Sequence, residues 1–309
     1  MAADLVVACA KAGADAVKFQ SYTPERFISP ADAERFARVT RFGLDAAAHR
    51  RLARVAKETG IAFFSSAISE DWVPLIAELS PAIKIASGDL TFPVVIKAAA
   101  KTGKPVLLST GAGTEAEIAQ AIGWFREAAG HKDVSDQLVL LHCVSGYPTP
   151  IEQANLLSIP FLRERFGLTV GWSNHVIGPE ACIAAVALGA PVVEVHFTDR
   201  KSGRTFRDHE LSFEPAELAT LVKTLRSVRA SLGTHGKQPS PVEAGIRDAI
   251  RKGIVAARDL PAGTVLTERD VMYARPAVPL GAVQVGRVLG HRLSRPVKRL
   301  QPLDPGAVE

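Results

Sequence analysis

The chain of 309 residues contains no apolar run approaching the roughly 18 residues of a membrane-spanning helix. No transmembrane segment is therefore expected. The N-terminal LVVACA is too short for a secretory signal and lacks its basic flank and cleavage site. Three cysteines without paired spacing exclude a disulfide framework and suit a reducing cytoplasm. No Walker loop occurs, and neither GDLTFPVVI nor STGAGTEAE has the spacing of a dinucleotide fingerprint. Nor is there a block of like charge. The net charge of +5 is dispersed, which argues against nucleic-acid binding and suits small anionic substrates.

What is present is an ordinary globular composition, 47% hydrophobic and 22% charged, with length for one large domain or one large and one small. Residues 1–14 carry Leu5, Val6, Cys9 and Ala12 at helical spacing, with Gly13 as a stop. Seven apolar runs then read as strands buried on both faces: 15–20, 61–67, 82–88, 105–111, 138–145, 168–174 and 192–198. Helical patterns such as Asp45–Thr59 and Thr114–Ala129 separate most of them, and Thr114 with Glu117 forms a capping box. This order predicts an α/β fold, a TIM-type (β/α)8 barrel with seven βα units visible. Because the chain opens on a helix, the first strand is expected upstream of Met1. The long gap after Gln20 predicts an excursion over the catalytic face. Past Leu232 the pattern changes, which predicts a barrel over 1–233, a linker over 234–247 and a small β-rich domain over 248–309. The β-like runs of that domain are KGIVAARDL, GTVLTERDV, MYARPAV and VGRVLGHRL. At that size it is expected to dock on something.

In parallel α/β proteins the chemistry sits at the carboxyl ends of the strands. His175 and His196 fall there on neighbouring strands, where two imidazoles either share a divalent ion or serve as hydrogen-bonded rim residues. Other strand ends gather Lys18 and Gln20, Ser65 and Ser66, Lys84, Ser87 and Asp89, Ser109 and Thr110, and His142 and Ser145. Lysines in apolar strands are costly unless paired or bound to an anion. Lys18 and Lys84 therefore read as a clamp for phosphate or carboxylate, with barrel acids as the alternative partners. An anion clamp beside a metal favours carbonyl chemistry over hydride transfer.

The ordered motifs AVKFQ, IKIASGD, LLSTGAG, LHCVSGYPTP, GWSNH and EVHFTDR…RDHELS, followed by YARP, resemble the sialic acid synthase family. The resemblance runs from about Gly13 to Pro276. It implies a TIM-type barrel followed by an antifreeze-like SAF domain, working as a domain-swapped homodimer in which that domain covers the partner's active site. It also implies condensation of phosphoenolpyruvate with an N-acylated amino-hexose to give a nonulosonic acid and phosphate. The candidate sugars are N-acetylmannosamine, its 6-phosphate and a diacetamido sugar. By this resemblance His175 and His196 hold a divalent ion, usually manganese, with magnesium or cobalt as alternatives, against the aldehyde oxygen. Lys18, Lys84, Ser87, Ser109 and Ser173 match positions that bind phosphoenolpyruvate. Gln20, Tyr147 and Asp208 match sugar-side positions, and Glu194 matches an acid next to the metal histidine. Lys18, Lys84, Glu194 and Asp208 form the expected catalytic group, while Ser66, Asp89 and Ser145 complete the substrate-binding set. Arg275, in YARP, matches the arginine that reads the N-acyl group in the partner's site. Simpler readings stand beside three of these: Tyr147 as a turn aromatic, Arg275 as an exposed arginine, and Asp208 as the cap of a turn beside His209.

Four departures from the family pattern bear on activity. The first-strand Glu-Ile-Gly…Asn-His motif, with its glutamate, does not occur. The common Ser-Asp-His is Ser173-Asn174-His175, which removes a carboxylate near the metal. The common Ser-Gly-Glu is Ser87-Gly88-Asp89, and Ser145 stands where an asparagine often precedes Tyr-Pro-Thr-Pro. The expectation is impaired or absent turnover by residues 1–309, with a sugar- or partner-binding barrel as the alternative function.

Overall fold

A computed structural model describes every residue except Thr205 and Arg207. The chain divides into two compact units, Met1–Gly233 and Thr234–Glu309. In the first, helices and strands alternate. The strands are β1 (Ala16–Ser21), β2 (Ala62–Ala67), β3 (Ile83–Ile85), β4 (Val106–Ser109), β5 (Leu138–His142), β6 (Thr169–Ser173) and β7 (Val193–Glu194). The helices are α1 (Ala2–Lys11), α2 (Pro24–Phe27), α3 (Ala33–Phe42), α4 (Ala46–Thr59), α5 (Val73–Leu79), α6 (Pro93–Ala100), α7 (Glu115–Ala129), α8 (Ser158–Phe166), α9 (Glu180–Ala187), α10 (Asp208–Leu211) and α11 (Pro215–Ser231).

All seven strands run parallel, paired in chain order from β1 to β7. The expected succession of seven βα units is therefore present, as a curled sheet with β1 and β7 at its edges. The curl is large, because Lys18 on β1 comes within 3.8 Å of Glu194 on β7. Local sequence sets the helix starts. The Asp45 carboxylate accepts the Ala48 N–H at 2.7 Å ahead of α4, and Thr114 with Glu117 closes the expected capping box of α7. Trp172, Phe125, Leu108 and Leu140 are fully buried between sheet and helices, each contributing about 1.5–3 kcal/mol. Gly171 in β6 is required by close approach: a Cβ there would lie 2.6 Å from the Val192 carbonyl oxygen and 2.7 Å from Leu141 Cδ2.

Two strands are shorter than their apolar runs. β3 stops at Ile85 because Ser87–Asp89 winds into a 3-10 turn. β7 stops at Glu194 because the next residues take a different partner: Phe213 donates its N–H to the His196 carbonyl at 2.8 Å, and Thr198 donates to the Phe213 carbonyl at 3.0 Å. The excursion after β1 carries α2 and α3. Its α3 reaches the loop after β7, where the Arg38 guanidinium lies 5.6 Å from the Phe206 ring centroid.

The second unit has its own core, including Ile254, Leu266, Val288, Leu293 and Leu303. β8 (Gly253–Ala256) pairs antiparallel with β9 (Val271–Ala274). The other β-like runs differ from expectation. GTVLT makes only an isolated bridge, Val265 to Arg292, and VGRVLG begins inside a 3-10 helix, Ala282–Arg287. The stretch read as a linker contains a 3-10 turn, Pro241–Glu243, and the start of α12 (Arg247–Ile250). Among the described residues no helix is long and apolar enough to cross a membrane.

Candidate active site

At the carboxyl end of the sheet, side chains from β1, β3 and β7 meet on one carboxylate. Glu194 lies 3.8 Å from Lys18 Nζ and 4.0 Å from Lys84 Nζ, and the Ser173 hydroxyl donates to it at 3.4 Å. Lys84 is only 3% exposed and also donates to Ser109 Oγ at 2.6 Å and to the Ile85 carbonyl at 3.0 Å. Burial pushes the Lys84 ammonium below its usual range, a shift that Glu194 partly opposes. Burial alone would raise the Glu194 carboxyl, but Lys84 and Lys18, with the two imidazoles, bring it down to about 2. Two ammoniums on one carboxylate leave the cluster with a positive surplus. The lysines thus pair with a barrel acid, the alternative partner that their sequence positions suggested.

Beside this cluster stand the histidines. The ring centroids of His175 and His196 are 5.3 Å apart, and the Tyr147 ring packs 4.1 Å from the first and 5.9 Å from the second. Tyr147 is thus a wall of the histidine pair as well as a turn residue. His175 donates its Nδ1–H to the Val144 carbonyl at 2.5 Å, which leaves Nε2 with its lone pair. Burial lowers both imidazoles, His196 to about 4, so both are neutral at pH 7. Asp208 Oδ2 lies 4.0 Å from His196 Nε2, and His209 Nδ1 is 2.8 Å from Thr198 Oγ1.

The remaining candidates of the first unit lie at or just after the ends of its strands. Gln20 and Ser66 are register partners on β1 and β2, and Ser66 is in turn paired with Lys84. Burial raises Asp89 to about 6 against the pull of Lys84. Ser87 accepts the Gly111 N–H at 3.2 Å and lies 3.1 Å from Cys143 Sγ, while Ser145 is exposed at the rim. His142 is a structural residue: its Nε2 faces the Ala154 carbonyl at 3.0 Å and its ring packs on Trp172. Arg275 is exposed in the C-terminal unit. Arg207, the first residue of RDHELS, lies outside the described residues.

The NeuB family model matches residues 5–237, and the SAF domain model matches residues 251–309. The chain belongs to the NeuB family. It is a sialic acid synthase-like enzyme with a C-terminal SAF domain. An uncharacterized protein of Methanocaldococcus jannaschii is 38% identical over 94% of this chain and 84% of its own length. The N,N'-diacetyllegionaminic acid synthase of Campylobacter jejuni is 34% identical over 94% of this chain and 90% of its own. The crystal structure of N-acetylneuraminic acid (sialic acid) synthetase from Leptospira borgpetersenii, in complex with citrate, superposes with a TM-score of 0.73 at 31% identity, covering 79% of this chain and 83% of that one.

Within this NeuB chain, Asn174 acts as a local clamp. It is 1% exposed, accepts the Trp172 indole N–H at 3.1 Å and donates to the Val176 carbonyl at 2.7 Å. A carboxylate oriented the same way would oppose that carbonyl. The residue fixes the turn that carries His175. As a metal site the NeuB centre fits in part. It offers two neutral imidazoles, the form that ligates, but among the described residues no group of three or more His, Cys, Asp and Glu surrounds one point. An ion held there would draw its other ligands from substrate or solvent oxygens. The sequence alone did not signal Cys143, Gly111 or the Val144 carbonyl as parts of the site, and it marked Asn174 only as a departure from the family pattern.

Proposed function

We propose that this protein condenses phosphoenolpyruvate with the open-chain form of an N-acylated amino-hexose, giving a nonulosonic acid and phosphate. The observation that carries this reading is the convergence of Lys18, Lys84 and Ser109 around Glu194, beside two neutral imidazoles. Lys84, anchored on Ser109, and Lys18 bind the anionic oxygens of phosphoenolpyruvate, with Ser87 and Ser173 as hydroxyl donors. Gln20, Tyr147 and Asp208 orient the sugar, and Ser66, Asp89 and Ser145 complete the walls. A divalent ion at His175 and His196, manganese with magnesium or cobalt as alternatives, supplies electrophilic activation of the aldehyde oxygen when bound. Carbon 3 of the enol bonds to the aldehyde carbon, whose oxygen gains a proton. Water adds at carbon 2 and loses one, and the C–O bond to phosphate breaks. The lysines offset the charge on the departing phosphate.

Arg275 is assigned to the N-acyl group of a sugar bound by a second copy, so the working form is a homodimer in the cytoplasm. The likeness to a diacetyllegionaminic acid synthase makes a diacetamido sugar the first candidate. A second reading, a sugar- or partner-binding barrel without turnover, is favoured by one observation: β1 and β7 are both sheet edges. Phosphate release decides between them, measured with phosphoenolpyruvate, manganese and a panel of N-acylated sugars, with and without a chelator. Turnover that needs a sugar and is lost with the chelator supports the synthase. Binding of phosphoenolpyruvate with no release under any sugar supports the second reading.

A further inference from the structure

The geometry points to Cys143 as a positioning residue that turns the Ser87 hydroxyl into an obligate donor toward the anionic substrate. A serine hydroxyl has one O–H to give and two lone pairs to fill. At Ser87 one lone pair takes the Gly111 N–H at 3.2 Å, and Cys143 Sγ stands 3.1 Å from the same oxygen. When the thiol donates, both lone pairs are filled. Among the described residues Ser87 makes no other hydrogen bond through its side chain, so its O–H is then left for an acceptor in the site. A ligand made only of acceptor oxygens, phosphate or carboxylate, satisfies it, whereas a neutral donor group does not.

The packing holds this arrangement in place. Cys143 is 4% exposed at the end of β5, with little room to turn away. Gly111 is part of the device, because a Cβ there would lie 2.8 Å from Ser87 Oγ, 2.8 Å from Cys143 Sγ and 2.5 Å from Ser145 Oγ. Three side chains of hydrogen-bonding type thus converge where the chain has left out a side chain. The inference rests on the reading that Ser87 faces phosphoenolpyruvate.

The test compares the full chain with Cys143→Ala and Cys143→Ser, reading kcat and KM for phosphoenolpyruvate along with thermal unfolding. Cys143→Ala, which cannot donate, is expected to raise that KM about fivefold with kcat within about twofold, in line with the loss of one hydrogen bond. Cys143→Ser, which can donate, is expected to restore KM to within about twofold of the parent. An unchanged KM in Cys143→Ala, or a Ser variant as impaired as the Ala variant at equal melting temperature, overturns the role. Should the parent chain show no turnover, the same comparison is made by calorimetric titration with inorganic phosphate. A fivefold loss confined to the Ala variant then upholds the positioning role while the synthase reading falls, and equal affinities overturn the role as well.

Discussion

Replacing Lys84 by methionine separates an anion-binding lysine from a structural one. Lys84 is 3% exposed, and its ammonium is shared among Ser109 at 2.6 Å, the Ile85 carbonyl at 3.0 Å and Glu194 at 4.0 Å. Breaking a buried pair costs about 3–5 kcal/mol when the surviving charge is stranded. Here it is not: Glu194 keeps Lys18 at 3.8 Å and retains 23% side-chain exposure. Methionine also removes the desolvation burden that pushes the Lys84 ammonium down. Two lost hydrogen bonds of about 1 kcal/mol each are thereby partly offset, for a net cost of about 1 kcal/mol. In a chain of this size that is about 2–4 °C of melting temperature. Binding should respond far more strongly. Two charge-assisted bonds to an anion, about 1.5 kcal/mol each, amount to about a 100-fold loss of affinity for phosphoenolpyruvate. Calorimetric titration and thermal unfolding of Lys84→Met are read side by side. A fall of more than about 10 °C with affinity within about threefold would refute the argument and make Lys84 a structural partner of Glu194.

Two further outcomes follow from the same geometry. Asp89 has its carboxyl raised from 3.8 to about 6 by burial, so the folded state holds its proton more tightly and loses stability as pH rises through that window. Asp89→Asn should therefore be more stable than the parent at pH 8, by at most about 3 kcal/mol, and equal to it near pH 3.5; chemical denaturation at the two pH values checks this, and a gain at low pH alone would contradict it. Asn174→Ala should cost about 2 kcal/mol, because the Trp172 indole and the Val176 carbonyl lose their partner; a denaturation midpoint equal to that of the parent would remove the clamp from the account.

The barrel was legible in the sequence because buried parallel strands are continuous apolar runs, and these stand out between helical periods. The capping box at Thr114 was legible for another reason: its two bonds are local. Lys18 and Lys84 announced themselves through the cost of placing charge in a strand. What was not legible depends on partners remote in the chain. β7 ends after two residues because Phe213 claims the His196 carbonyl, and no feature of VVEVHFT encodes that competition. The run VGRVLG has strand-like composition yet lies partly in a 3-10 helix. Asn174 looked like a lost acid, since only the positions of Trp172 and Val176 reveal that its amide is used on both sides.

The two lysines, alike in sequence context, have different physical standing. Lys84 is buried and holds two uncharged protein acceptors, whereas Lys18 keeps 26% exposure and a long contact with Glu194. That contact spans the two edge strands, but at 3.8 Å it is a long, partly buried ion pair and does not by itself bend a sheet. The curl comes from strand twist and from close approaches such as Gly171 against the Val192 carbonyl. Drawing Lys18 away from Glu194 therefore costs the fold little, while moving Lys84 means breaking buried hydrogen bonds. An anion entering the site meets one lysine that is fixed and sets where it binds, and one that can turn toward it. Glu194, left by Lys18 but still within reach of Lys84, continues to oppose the lowering that burial imposes on the fixed ammonium.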